Sequence, residues 1–170
     1  MYLGPLLPGR SARLALDAAH QAGRPVTLAG TAPGRDADAY AERELGPRLG
    51  PGDRLLPEVG LRQRWALLAG ACCLVAPLLD DEPASLEIVQ AQAAGTPVVG
   101  LDDTVAAELV RSGVSGLLVT GLRDLGAAVR EVGRLDPDPK AVREQAARFD
   151  VAVMVRAYEA LFARLLDGER

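Results

Sequence analysis

Short apolar runs alternate with longer amphipathic ones along this chain, and that alternation constrains its fold more than any other feature. It is the signature of an α/β protein with a parallel sheet. Six runs read as strands: Tyr2–Gly4, Val26–Ala29, Arg54–Leu56, Cys72–Ala76, Val98–Leu101 and Gly116–Val119. Several are β-branched or wholly apolar, as strands covered on both faces should be. Helical patterns lie between them, near Ser11–Ala22, Asp36–Leu45, Leu61–Ala69, Leu86–Ala94, Asp103–Arg111 and Arg123–Val132. Turns fall at Ala22-Gly23-Arg24-Pro25, Gly95-Thr96-Pro97 and Ser112-Gly113, where Gly and Pro interrupt regular structure. The expected architecture is a three-layer, Rossmann-like domain around a mostly parallel sheet of about six strands.

After the Pro- and Asp-rich break at Asp136–Pro139, two more helices are expected, near Ala141–Arg148 and Ala152–Leu166. The last carries Met154, Tyr158, Leu161 and Leu165 at helical spacing, one continuous apolar stripe. Core packing would account for such a stripe. So would a partner surface.

A length of 170 residues suits a single domain, 1–170, with 150–170 as its C-terminal helix. The net charge of −4 argues against nucleic acid as a partner, because phosphate binding needs a basic face. Only one Trp, three Tyr and two Phe are present, too few for a base-stacking platform. The longest uncharged run, Trp65 to Leu79, is broken by Gly70 and Pro77, so no membrane span is expected. No basic segment followed by an apolar stretch opens the chain, and no signal peptide is expected. Adjacent Cys72 and Cys73 are poor disulfide partners for each other and read as two buried structural thiols in a reducing cytoplasm. His20, the single histidine, has no acid or nucleophile near it in sequence and reads as a surface or packing residue. No spacing of Cys, His, Asp and Glu reads as a metal site.

The most specific stretch runs from Leu79 to Val99, LDDEPASLEIVQAQAAGTPVV. Physically it is the end of a strand, an acidic loop, a helix, a Gly turn and a strand. In an open parallel sheet, ligands bind in the crevice beyond the carboxyl ends of the strands. The first free amides of the helix beginning near Ser85 would face that crevice and suit an anion such as a phosphate.

Here the chain resembles the C-terminal, donor-binding domain of the family 4 glycosyltransferases with the GT-B fold, over nearly all its length. Leu3-Gly4 through Arg10-Ser11 resembles the first strand and its basic phosphate loop, and Val26 to Gly30 the second strand and its Gly turn. Glu58-Val59-Gly60 resembles the loop that meets the nucleobase. Glu82 to Gln90 occupies the place of the family's paired-glutamate motif. Ala94 to Val99, Glu108-Leu109-Val110 and Gly116 to Val119 complete the match.

The resemblance implies a site for a nucleotide-diphosphate sugar. Glu82, the catalytic-site candidate, would accept hydrogen bonds from sugar hydroxyls. Gln90 would hold the ribose diol and Val59 would lie against the base. Backbone amides at Leu86 and Glu87, with Ser85 at the helix start, would receive the diphosphate, and Arg10 would offset its charge. No metal cofactor is expected, because basic side chains and a helix terminus stabilise the departing diphosphate in such enzymes.

Several residues depart from the family pattern at this same place. Pro5 stands where the first basic residue falls, Ser11 and Ser85 replace glycines, and Glu87 replaces an apolar residue beside the phosphate-binding amides. Gln90 replaces the second glutamate and loses its charge-assisted hydrogen bonds. The function implied is hexosyl transfer from a nucleotide sugar. The partner implied is an N-terminal GT-B domain or a separate subunit that supplies the acceptor half. Met1 stands immediately before the first strand, so the chain taken alone is expected to bind a donor without turnover. The alternative is a non-catalytic binding or scaffold domain derived from such an enzyme.

Overall fold

Each strand sends alternate side chains to opposite faces of a sheet, and here both faces are covered. The computed structural model describes residues 1–8, 11–30, 39–78 and 86–167. Its strands are β1 (Tyr2–Leu3), β2 (Thr27–Ala29), β3 (Arg54–Leu56), β4 (Leu74–Ala76), β5 (Val98–Leu101) and β6 (Gly116–Val119). They pair in parallel as two ladders, β1-β2-β3 and β4-β5-β6. Met1 joins the ladders. Its carbonyl accepts from the Val75 N–H at 2.8 Å, and its amino group donates to the Cys73 carbonyl at 2.7 Å. These bonds straddle Leu74 in the manner of a parallel pair. The strand order across the domain is therefore 3-2-1-4-5-6, the doubly wound arrangement.

The α-helices that accompany the strands among the described residues are α1 (Ala12–Gln21), α2 (Leu61–Ala69), α3 (Leu86–Ala94), α4 (Ala106–Leu109), α5 (Leu125–Leu135), α6 (Pro139–Ala146) and α7 (Val151–Leu166). On one face, Tyr2, Leu28, Val75 and Val99 pack with Ala12, Leu16 and Ala19 of α1 and with Leu125, Val129 and Val132 of α5. On the other, Leu3, Ala29, Leu74 and Val98 pack with Leu68 of α2, Ile88 and Ala91 of α3 and Ala106 of α4. Neighbouring strand residues thus belong to different cores, which is why both can be apolar. The result is the expected three-layer domain.

Some expected boundaries change, each for a local reason. The helix expected over Asp103–Arg111 shrinks to α4. Thr104 Oγ1 donates to the Leu101 carbonyl at 3.1 Å and accepts from the Ala106 N–H at 3.3 Å, a local turn that competes with helix. Of the helix expected near Asp36–Leu45, the described part runs from helical residues 39–40 into a π-helical turn over Ala41–Leu45. The reading of two buried thiols is also corrected. Both cysteines are free, but Cys72 is exposed and only Cys73 is buried, because the strand starts at Leu74 and leaves Cys72 in the preceding turn.

His20 has a partner that sequence distance hid. Its Nε2 lies 2.6 Å from Asp53 Oδ2. Asp53 also accepts from the Val26 N–H at 2.7 Å and the Gly50 N–H at 2.7 Å, pinning the turns that lead into β2 and β3.

Helix α7 stands apart from both cores. Asp150 caps it by accepting from the Ala152 N–H at 2.8 Å, yet none of its residues is buried. Met154, Tyr158 and Leu161 are 51%, 54% and 37% exposed, and Phe162 and Leu165 beside them are more than half exposed. The apolar stripe forms as expected and is not sealed within the chain's own core. Among the described residues, no helix is long and apolar enough to cross a membrane.

Candidate functional site

The reversal of strand order between β1 and β4 opens the sheet at the carboxyl ends of those two strands, the place where doubly wound folds bind ligands. Chain direction brings the N-termini of α1 and α3 there, one from each face of the sheet. In α1 the Ala15 N–H donates to the Ser11 carbonyl at 3.0 Å. The amides of the first turn of any helix have no carbonyl further back within it, a natural anion-binding feature.

Backbones meet closely around this opening. The Gly4 N–H donates to the Ala29 carbonyl at 3.0 Å, and a Cβ at Gly30 would overlap the Gly4 carbonyl oxygen. Only glycine fits at that position. Tyr2 donates its hydroxyl to the Pro5 carbonyl at 3.0 Å, holding the exit of β1. Ser11 is fully buried, and its hydroxyl donates to the Pro77 carbonyl at 2.6 Å. The serine that replaces a family glycine thereby ties the start of α1 to the exit of β4.

Of the residues singled out from sequence, Val59, Leu86, Glu87 and Gln90 lie within the described residues, whereas Arg10, Glu82 and Ser85 lie outside them. Leu86 is the first residue of α3 and is 70% exposed. Glu87 follows it in the first turn and is half-buried. Gln90, one turn further along, is also half-buried, and its Oε1 accepts from Arg64 Nη1 at 3.4 Å. Val59 is buried in the same apolar cluster as Leu68 and Ile88. The loop before α2 and the first half of α3 are therefore brought side by side, with Val59 and Gln90 on neighbouring elements.

Arg64 was not legible as a site residue, since it sits among ordinary helical residues in LRQRWALLA. Its Nε is buried and, among the described residues, has no hydrogen-bond partner. A guanidinium beside position 90 changes the electrostatics of the site. It supplies positive charge close to the first turn of α3, where Glu87 supplies negative charge. Among the described residues, no group of three or more His, Cys, Asp and Glu side chains could hold a metal ion.

Comparisons with known proteins agree with this fold. The chain is similar to AviGT4, a glycosyltransferase involved in avilamycin A biosynthesis, at 28% identity and a TM-score of 0.75, over 98% of this chain and 52% of that one. It is similar in fold to HepE of Anabaena, solved in complex with UDP and glucose, at 21% identity and a TM-score of 0.72, over 95% of this chain and 48% of that one. The GtfA/B complex is similar at 18% identity and a TM-score of 0.73, covering 98% of this chain and 36% of that one. The chain thus spans about half the length of these solved relatives, or less. No curated protein matches it by sequence. The model of the family described as glycosyl transferases group 1 matches residues 2–138, most of the chain, from β1 to the start of α6. The chain belongs to the group 1 glycosyl transferases.

Proposed function

We propose that this chain is the donor-binding half of a glycosyltransferase and takes a nucleotide-diphosphate sugar at the opening between β1 and β4. The observation that carries this reading is the convergence of the α1 and α3 N-termini on the strand-order reversal, inside the stretch matched by the family model. In this reading the diphosphate lies on the amides at the start of α3, Leu86 and Glu87, beside Ser85. Arg10 offsets its charge. Val59 backs the base, Gln90 meets the ribose hydroxyls as acceptor and donor, and Glu82 accepts from hydroxyls of the sugar.

During transfer, the bond between the sugar's anomeric carbon and the diphosphate oxygen breaks, and a bond to an acceptor oxygen forms. The electron pair leaves with the diphosphate, and the acceptor's proton is lost. Arg10 and the helix-end amides favour this step by stabilising charge that grows on the leaving group. The work needs no metal in this account. HepE, solved with UDP and glucose, supports the ligand class by similarity of fold.

The acceptor half comes from elsewhere, as an N-terminal domain or a separate subunit, and the exposed face of α7 is the surface proposed to meet it. Relatives roughly twice this length, and the GtfA/B complex, support that division. Thermal unfolding in the presence of UDP-, GDP- and ADP-sugars tests the proposal. One class should raise the melting temperature saturably, and Glu82→Ala should weaken that effect. Indifference to all three at millimolar concentration would leave a scaffold domain derived from an enzyme as the better account.

A further inference from the structure

A second concave site lies at the opposite edge of the sheet, where the amino ends of β1 to β4 meet. This cavity has a volume of about 460 Å³ and is lined by Arg24, Arg54, Cys72 and Cys73, among others, with no acidic residue among the described residues of its wall. That volume falls within the range of small-molecule sites. Neither guanidinium forms an ion pair among the described residues. Cys72 Sγ and Arg24 Nη2 converge on one spot, at 3.3 Å and 4.0 Å from where a Cβ on Gly133 of α5 would stand. The cavity therefore combines an exposed cysteine, a buried one next to it in sequence and two cations that carry no ion pair among the described residues.

We propose that Cys72 is a thiol-modification site and that its cavity selects low-molecular-weight anionic disulfides of the glutathione type. The two thiols are differentiated by position. Cys73 is 3% exposed in the core that contains Val75 and Val129, so reagents reach Cys72 instead. The hydrogen bond from Cys73 favours the Cys72 thiolate. With help from Arg24 and the Met1 amino group it outweighs burial and the nearby Asp136, bringing Cys72 down to about 6. The same hydrogen bond, together with burial, pushes Cys73 well above its ordinary range. At neutral pH the nucleophile is thus Cys72.

The reaction is a thiol–disulfide exchange. The Cys72 thiolate attacks one sulfur of the disulfide and forms a new S–S bond. The original S–S bond breaks, its electron pair leaves with the second sulfur, and that thiolate takes a proton from solvent. The disulfide reagent is the oxidant. Arg24 and Arg54 act before the exchange by raising the local concentration of carboxylate-bearing reagents, an effect that salt should suppress.

The test is mass spectrometry of the full chain after timed exposure to three disulfides: oxidised glutathione (anionic), hydroxyethyl disulfide (neutral) and cystamine (cationic). Rates are normalised to those of the same reagents with a small free thiol. The expected result is one adduct per chain, on Cys72, with normalised rates falling from anionic to cationic by roughly tenfold. Cys72→Ser should abolish it. Arg24→Gln with Arg54→Gln, both on exposed side chains, should remove the preference while leaving the melting temperature and the Cys72 adduct in place. An adduct on Cys73, equal normalised rates for the three reagents, or a preference that survives in the double arginine variant would overturn the proposal. None of these outcomes depends on nucleotide binding at the other edge of the sheet.

Discussion

The Ser11 hydroxyl donates to the Pro77 carbonyl at 2.6 Å, fastening the start of α1 to the exit of β4 across the reversal of strand order. Both groups are taken from water, so the bond cannot be exchanged for solvent without cost. Ser11→Ala should lower stability by about 1–3 kcal/mol, because it leaves a buried carbonyl unpaired. Chemical denaturation of the variant checks this. An unchanged midpoint would mean that water replaces the hydroxyl.

Gln90 and Arg64 make a second testable pair. Gln90→Glu would put a carboxylate 3–4 Å from a guanidinium already in place, and Arg64 Nε, which has no partner among the described residues, offers it a second donor. Stability should rise by up to about 1 kcal/mol. If position 90 meets ribose, affinity for nucleoside diphosphates should rise as well, more so when Glu87→Val removes the opposing charge at the helix start. Melting temperature and affinity, measured on the same variants, separate the two effects.

Gly30 tests the backbone geometry at the mouth of the site. A methyl group there overlaps the Gly4 carbonyl oxygen, which is main chain and cannot rotate away. Gly30→Ala should cost roughly 3 kcal/mol or more and push β1 and β2 apart at their carboxyl ends. Circular dichroism melts report the first effect, and loss of nucleotide binding in the still-folded fraction reports the second.

Asp53 gives the chain a specific acid sensitivity. Burial alone would raise its pKa, but hydrogen bonds from His20 and from the Val26 and Gly50 amides outweigh that, and the carboxyl is held below its usual 3.8. A depressed folded pKa means stability that is fully present above the unfolded value and is lost as pH falls through the folded one. The loss should therefore appear below about pH 4. Asp53→Asn should flatten that part of the stability profile and lower stability near neutrality by about 2 kcal/mol. Melting temperatures between pH 7 and pH 2 provide the comparison.

Substitutions on α7 should behave in the opposite way. Tyr158 and Phe162 pack against each other, rings 6.0 Å apart, but neither is buried. Tyr158→Ser with Phe162→Ser should change the stability of this chain by no more than about 0.5 kcal/mol. The same change should weaken association with an acceptor half in a co-purification assay. A large loss of stability in the isolated chain would show that the face is already used internally.

Much of the fold could be read from sequence because its strands are short and apolar and its turns are marked by Gly and Pro. Each of the six strands forms within the run that pattern marks, β1, β2 and β4 shorter by one or two residues, and α2 and α3 keep their full spans. What escaped is what depends on residues far apart in the chain. Nothing near His20 announces Asp53, and nothing near Gln90 announces Arg64. Cys72 and Cys73 looked alike because periodicity cannot say where a strand begins. At the candidate site, the order of motifs marked the Leu79–Val99 stretch, whereas the tie of Ser11 to Pro77 depends on the placement of β4 beside α1.

Calorimetric titration with UDP, GDP and ADP asks for the diphosphate site alone, without acceptor or second domain. The account predicts saturable, one-to-one binding of one of the three, weakened about tenfold or more by Arg10→Gln through loss of a charge-assisted hydrogen bond. Heats no different from buffer dilution for all three nucleotides at millimolar concentration, or binding indifferent to Arg10→Gln, would contradict it.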